Sequence, residues 1–264
     1  MPDAGGDTES EGDTASGGDT SAGGDTGGDT AAGGDTGGDT AAGGATFPSE
    51  LLDLTDWKLT LPIGETDNPV EIEQPGLATY TIDPYFQVGT DGDVVVFQAN
   101  AGGVTTGGSH FPRSELREMA DGGTTKAAWS TTSGVHTMTI TQAVTHLPDV
   151  VPHLVAGQIH DAKEYVMLVR LDESKLWVKS GGEEVGVLDP DYTLGDEFTL
   201  RITAADGWID VYYNDLTVPA VTLPYETTGC YFKAGAYSQS NTEYGDAPEA
   251  YAEVQMRELV VTHE

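Results

Sequence analysis

Three short segments carry the side chains that could do chemistry. In YFKAGAYSQ, Tyr231 to Gln239, alternate positions hold Lys233, Tyr237 and Gln239, with Gly235 between them. Side chains two apart share a face of a strand, so a base, a phenol and an amide stand together there, and glycine leaves room for close approach to the backbone. In RSELREM, the same period puts Arg113, Glu115 and Arg117 on one face and Ser114, Leu116 and Glu118 on the other. In GQIHD, Gln158 and His160 share a face with Ile159 opposite. Each has a bland reading: a solvated Arg–Glu row paired across strands, or a lone histidine satisfied in the core. Taken together, on strands lining one concave sheet, they concentrate three bases with amide, imidazole and phenol groups in a chain that has only 11 Lys and Arg. That inventory suits an anionic, hydroxyl-rich substrate. The other histidines, His110, His136, His146, His153 and His263, form no metal-ligand pattern with acids or with Cys230, so no metal centre is expected.

The elements that must position these groups are strands. DVVVFQA from Asp93, HTMTITQAV from His136, EYVMLVRL from Glu164, KLWVKS from Lys175, EFTLRITA from Glu197, WIDVYYN from Trp208 and VQMRELVVT from Val254 are short and rich in β-branched and aromatic residues. Turn chemistry such as TDGD, SGGEE and AADG separates them. No long helical period competes, and the pattern predicts an all-β fold: a jelly-roll sandwich of two antiparallel sheets whose concave face offers a groove. One short helix is expected at SELLDL, capped by Ser49.

Composition divides the chain. Residues 1–46 repeat GGDT six times, contain no Lys or Arg and nothing large and apolar beyond Met1, so they read as a disordered, self-repelling linker; the glycine-rich nonapeptide pattern of a calcium-binding β-helix is absent. Residues 47–264 have the length of one large β domain. The chain carries −33. Ten of the 44 acids lie in the linker, leaving 34 acids against 11 bases, so the domain itself stands at −23. Nucleic acid and anionic membranes bind through clustered Lys and Arg and are disfavoured as partners. Acidity with so little lysine predicts a protein suited to high salt, the plainer alternative being an ordinary acidic secreted protein. Cys230, the single cysteine, cannot form an intramolecular disulfide and reads as a small buried side chain. No apolar run reaches the roughly 18 residues of a spanning helix. A linker before a domain suggests an extracellular or surface-tethered protein.

RSELREM, QIH and YFKAGAYSQ resemble, in order and wording, the three signature motifs of alginate lyases of polysaccharide lyase family 7. WKLTLPIG at Trp57 and the closing ELVVTHE look like that family's first and last strands, so the resemblance covers 47–264. It implies cleavage of alginate by β-elimination at the 4-O-glycosidic bond, with no metal or organic cofactor. It assigns carboxylate stabilisation to Arg113, Gln158 and His160 and proton transfer to Tyr237, with His160 as base toward guluronate. Glu115, Arg117, Lys233 and Gln239 are expected as subsite residues. Ile159 in QIH is associated in the family with guluronate-containing blocks. The protein is expected to act as a monomer. The alternatives are a lyase for another polyuronate such as glucuronan, and a carbohydrate-binding module without catalysis.

Overall fold

The computed structural model describes residues 44–264. The linker expected over 1–46 therefore lies outside the described residues except at its end, where the Thr46 N–H donates to the Glu50 carboxylate at 2.7 Å. In chain order the strands are β1 (Trp57–Glu65), β2 (Asn68–Ile72), β3 (Phe86–Val88), β4 (Val95–Asn100), β5 (Arg113–Ala120), β6 (Thr125–Lys126), β7 (Trp129–Ser130), β8 (Val135–His146) and β9 (His153–His160). They continue as β10 (Tyr165–Asp172), β11 (Lys175–Ser180), β12 (Glu183–Asp189), β13 (Phe198–Ala205), β14 (Trp208–Tyr213), β15 (Val221–Pro224), β16 (Thr228–Ser238) and β17 (Tyr251–His263).

Two antiparallel sheets face each other. The larger runs β12-β11-β10-β9-β16-β5-β1-β2, with β6 paired to β5 and β7 to β16; the smaller runs β15-β14-β13-β8-β17-β4-β3. The three segments that carry the chemistry are thus neighbours: β16 lies between β9 and β5. Between the sheets, Leu59, Leu61, Leu116, Ile159 and Phe232 meet Phe97, Met138, Ile140, Leu200 and Met256, all fully buried. Each such side chain contributes about 1.5–3 kcal/mol on leaving water. Because the side-chain period is two, burying this set turns the intervening polar residues of β5, β9 and β16 onto the opposite face of the larger sheet. Ser114 and Glu118 are the exceptions on the inward face of β5; the Ser114 hydroxyl donates to the Tyr85 carbonyl at 2.8 Å, and Glu118 is the charged one. Glu118 is satisfied there, accepting the Phe232 N–H at 2.7 Å and the Trp129 indole N–H at 3.0 Å, with His263 Nε2 2.7 Å away.

The helix expected at SELLDL is a single 3₁₀ turn, Pro48–Glu50, preceded by Phe47 with no side-chain cap. Proline opens the turn because its missing N–H would be unsatisfied there anyway. Ser49 lies inside the turn, and its hydroxyl donates to the Ala78 carbonyl at 2.6 Å instead of capping. Cys230 is fully buried, and burial pushes its thiol up to about 12, so it is an inert core side chain. No helix among the described residues is long and apolar enough to cross a membrane.

Candidate active site

Directly opposed residues of antiparallel neighbours share a face, so the register turns the motifs into rows that cross the sheet. One row runs Lys58, Arg117, Lys233, Gln158, Leu168, Lys179. A second runs Arg113, Tyr237, Val155, Arg170, Trp177. Between them lie Glu115 and Gly235, and beyond the first lie Tyr231, His160 and Tyr165. A sheet this rich in cations, in so acidic a chain, is the part of the molecule suited to a polyanion.

Glu115 is the centre of this face. Gln158 Nε2 donates to one of its oxygens at 2.6 Å, and Lys233 Nζ and Arg113 Nη1 approach the other at 2.9 and 3.3 Å. It is 1% exposed, and in so dry a setting a carboxylate persists only with such partners. Arg113 also lies 3.9 Å over the ring of Tyr237, and Arg117 stands 3.9 Å over Tyr231 while donating to the Glu118 carbonyl. Gln239 stands apart. It follows the last residue of β16, and its side-chain amide donates to the Ser238 carbonyl at 3.1 Å.

Gly235 has a φ of 134°, a region only glycine adopts without strain. A Cβ there would come within 2.6 Å of the Ser114 carbonyl and 3.0 Å of the Phe97 ring. The close approach inferred for this glycine is therefore made by the protein's own neighbouring strand. The pairing of β16 with β9 shifts register between Lys233 and Tyr237, and this irregularity brings Tyr237 beside Val155.

His160 Nδ1 lies 2.6 Å from the Asp161 carbonyl and 3.1 Å from the Tyr231 hydroxyl. A carbonyl accepts only, so Nδ1 carries the hydrogen and the lone pair of the neutral ring is on Nε2, the tautomer a base requires. Burial would raise the Asp161 carboxyl. The N–H groups of Glu164 and Lys163, the Thr227 hydroxyl and the nearby imidazole outweigh that and hold it below the usual carboxylate range. Tyr231 and Asp161 were not singled out from the sequence, although Tyr231 shares the alternation that marks Lys233 and Tyr237.

Tyr237 is 2% exposed and packs with Val155 and Leu168. Its hydroxyl lies 2.9 Å from Ser109 Oγ. Ser109 sits in the glycine-rich connection before β5, where a serine carries no signal of its own.

A cation-rich face with a phenol, an imidazole of fixed tautomer and an oriented amide can neutralise a carboxylate, remove a proton beside it and return one. The alginate lyase family profile matches residues 52–263. The chain belongs to this family. Within it the relation is to polysaccharide lyase family 7: alginate lyase AlgAT5 from that family is 52% identical, with 83% of this chain and 100% of that one covered at a TM-score of 0.81. The alginate lyase from Corynebacterium sp. is 45% identical over 83% of this chain and 99% of that one, with a TM-score of 0.80. A His-to-Asn, Tyr-to-Phe double variant of the family-7 alginate lyase A1-II', in complex with substrate (GGMG), is 28% identical; 83% of this chain and 97% of that one are covered, at a TM-score of 0.70. No protein of curated function matches significantly. The family is one of β-sandwich alginate lyases, and the jelly roll expected from the strand pattern is the observed fold.

Proposed function

We propose that this alginate lyase cleaves the 4-O-glycosidic bond by β-elimination on the outer face of β5, β9 and β16. The observation that carries the reading is that Arg113, Gln158, His160 and Tyr237 stand on one face of three adjacent strands, with Arg113 and Gln158 both bonded to the buried carboxylate of Glu115.

The proton at C5 of a uronate leaves only if the adjacent carboxylate can accept more negative charge. Arg113, the second N–H of the Gln158 amide and His160 are the groups that bear on it, and preorganised donors of this kind are each worth roughly 3 kcal/mol in the transition state. Toward guluronate, whose C5 hydrogen lies opposite the leaving oxygen, neutral His160 takes the proton through Nε2. Tyr237 then protonates the C4 oxygen as the C4–O bond breaks and the C4=C5 double bond forms. Toward mannuronate, Tyr237 serves in both steps, with the Arg113 guanidinium over its ring favouring the phenolate. Arg117, Lys233 and the Lys179 and Arg170 positions of the same rows extend the cationic face for neighbouring sugars.

Acceptance of guluronate-containing blocks is part of the proposal. Ile159 is fully buried in the core, so its influence runs through the placement of Gln158 and His160 on either side of it. A monomer that acts outside the cell, tethered through its acidic linker and suited to high salt, completes the reading.

The test offers polyguluronate, polymannuronate and glucuronan separately and follows the ultraviolet absorbance of the conjugated unsaturated product. A rise with alginate blocks, fastest on polyguluronate, is expected. Binding of all three with no absorbance under any salt condition would replace the lyase with a carbohydrate-binding module.

A further inference from the structure

The mechanism asks Tyr237, a buried phenol, to give up a proton, and one neighbour is built to answer that change. Ser109 is buried, and its hydroxyl has three partners in hydrogen-bonding distance. It receives the Phe111 N–H at 3.1 Å, faces the Phe111 carbonyl at 3.1 Å and lies 2.9 Å from the Tyr237 hydroxyl. A serine hydroxyl has one hydrogen to give. When it donates to the Phe111 carbonyl, its oxygen must accept from the phenol; when it donates to Tyr237, the Tyr237 oxygen must be the acceptor.

The loop that holds Ser109 is fixed from both sides. The Ser109 N–H donates to the Thr106 carbonyl at 2.9 Å, and the Asn241 side chain donates to the His110 carbonyl at 2.8 Å. Phe111 stacks on Tyr244 at 5.6 Å and meets the Tyr237 ring edge-on at 6.4 Å. The serine is thus held against the phenol both by its own loop and by groups on the connection after β16.

We propose that Ser109 is a positioning residue for Tyr237: a hydroxyl rotor that accepts from the phenol at rest and turns to donate to the phenolate oxygen once the proton has passed to the departing C4 oxygen. The inference rests on the reading of Tyr237 as the proton-transfer residue. No proton is lost to Ser109. Its hydrogen moves from the Phe111 carbonyl to the Tyr237 oxygen and back when the phenol is reprotonated, by the C5 proton directly or from the imidazolium by way of solvent. A donor aimed at an anion is a charge-assisted bond and is worth more to the phenolate than the weaker bond is to the phenol.

The experiment compares kcat and kcat/KM against pH for the full chain and for Ser109→Ala, Ser109→Thr and Tyr237→Phe. In the alanine variant kcat should fall about ten- to a hundred-fold, the loss of one hydrogen bond to a charged group, with KM little changed. The Tyr237-dependent limb should move to higher pH by about one pH unit or more, whether Tyr237 acts as acid or base, because only the ionised form loses a donor. Threonine, which keeps the hydroxyl, should restore the wild-type profile. The other charged and titratable groups on this face, Lys58 on β1, Arg113, Glu115 and Arg117 on β5, His160 on β9, Tyr165 and Arg170 on β10, Lys179 on β11 and Tyr231 and Lys233 on β16, with His110 and Tyr244 beside Phe111, are unchanged in these variants. An alanine variant with lowered kcat and an unmoved limb would overturn the proposal in favour of a merely structural serine, as would a shifted limb in the threonine variant. Turnover by Tyr237→Phe would overturn the underlying reading of Tyr237 instead, so the two failures are distinguishable.

Discussion

Glu115 is an acid at the middle of a face meant for an anion, and its partners explain why it is there. Without it, Arg113 and Lys233 would each lose a buried counter-charge, and Gln158 would lose the acceptor that orients its amide. Glu115→Leu should therefore lower stability by about 3–5 kcal/mol in chemical denaturation, the cost of breaking a buried ion pair on one side, and should lower kcat more than it raises KM. Loss of polymer binding alone, with stability and kcat intact, would mean that Glu115 works as a direct contact to sugar. Asp161 makes a second prediction at this scale. Its carboxyl is held low in the folded state, so its contribution is present above the ordinary aspartate range near about 3.9 and is lost as pH falls through the depressed folded value. Asp161→Asn should cost on the order of 2 kcal/mol at neutral pH, and the gap to wild type should close in acid. A gap independent of pH would show that the carboxylate charge is not what stabilises the turn after β9.

At the scale of the element, β16 does two jobs with one alternation, sending Phe232, Ala234 and Ala236 into the core and Tyr231, Lys233 and Tyr237 to the working face. Gly235 allows the strand to do so, since no side chain fits between Ser114 and Phe97 at that point. Gly235→Ala should destabilise by about 2 kcal/mol or more, combining positive-φ strain with a clash against backbone, and should depress kcat by displacing Tyr237. An alanine variant as stable and active as the parent would contradict the register described here. Strands of this kind were legible in the sequence because alternation and β-branching are local properties: RSELREM, QIH and YFKAGAYS lie in the strands and on the faces expected, and only Gln239 falls past the end of β16. The adjacency of β9, β16 and β5 was inferred only from their shared chemistry, because pairing between segments roughly seventy to a hundred and twenty residues apart leaves no local mark. Short pieces such as β6 and β7 were unreadable for the opposite reason, being two-residue pairings set by their neighbours. Ser109 and Asp161 were missed because serine and aspartate among glycines or after a strand look like turn residues, and only the folded chain shows which phenol and which imidazole they meet.

For the whole molecule the question is how a protein at −33 binds a polyanion at all. Distribution supplies the answer. Lys58, Arg113, Arg117, Arg170, Lys175, Lys179 and Lys233 all belong to strands of the larger sheet, whereas the smaller sheet carries only Arg201 and Arg257 on its strands. Arg257 is spent on Asp93 and Glu197 at the surface. A substrate chain therefore feels repulsion from the molecule at long range and attraction from one face at contact. Salt acts unequally on the two: with a screening length of about 10 Å at 0.1 M and about 3 Å at 1 M, the long-range repulsion fades first, while pairs in the dry groove are screened much less. Activity at subsaturating alginate should therefore rise with salt over a wide range, chiefly through association, and thermal stability should rise with it as self-repulsion within the domain is damped. The two should separate in a charge variant: adding lysines on the smaller sheet should raise activity at low salt and flatten its salt dependence without altering kcat. A steady fall in activity from low salt upward would mean that the contacts between groove and polymer, and not the field of the acidic surface, govern the encounter.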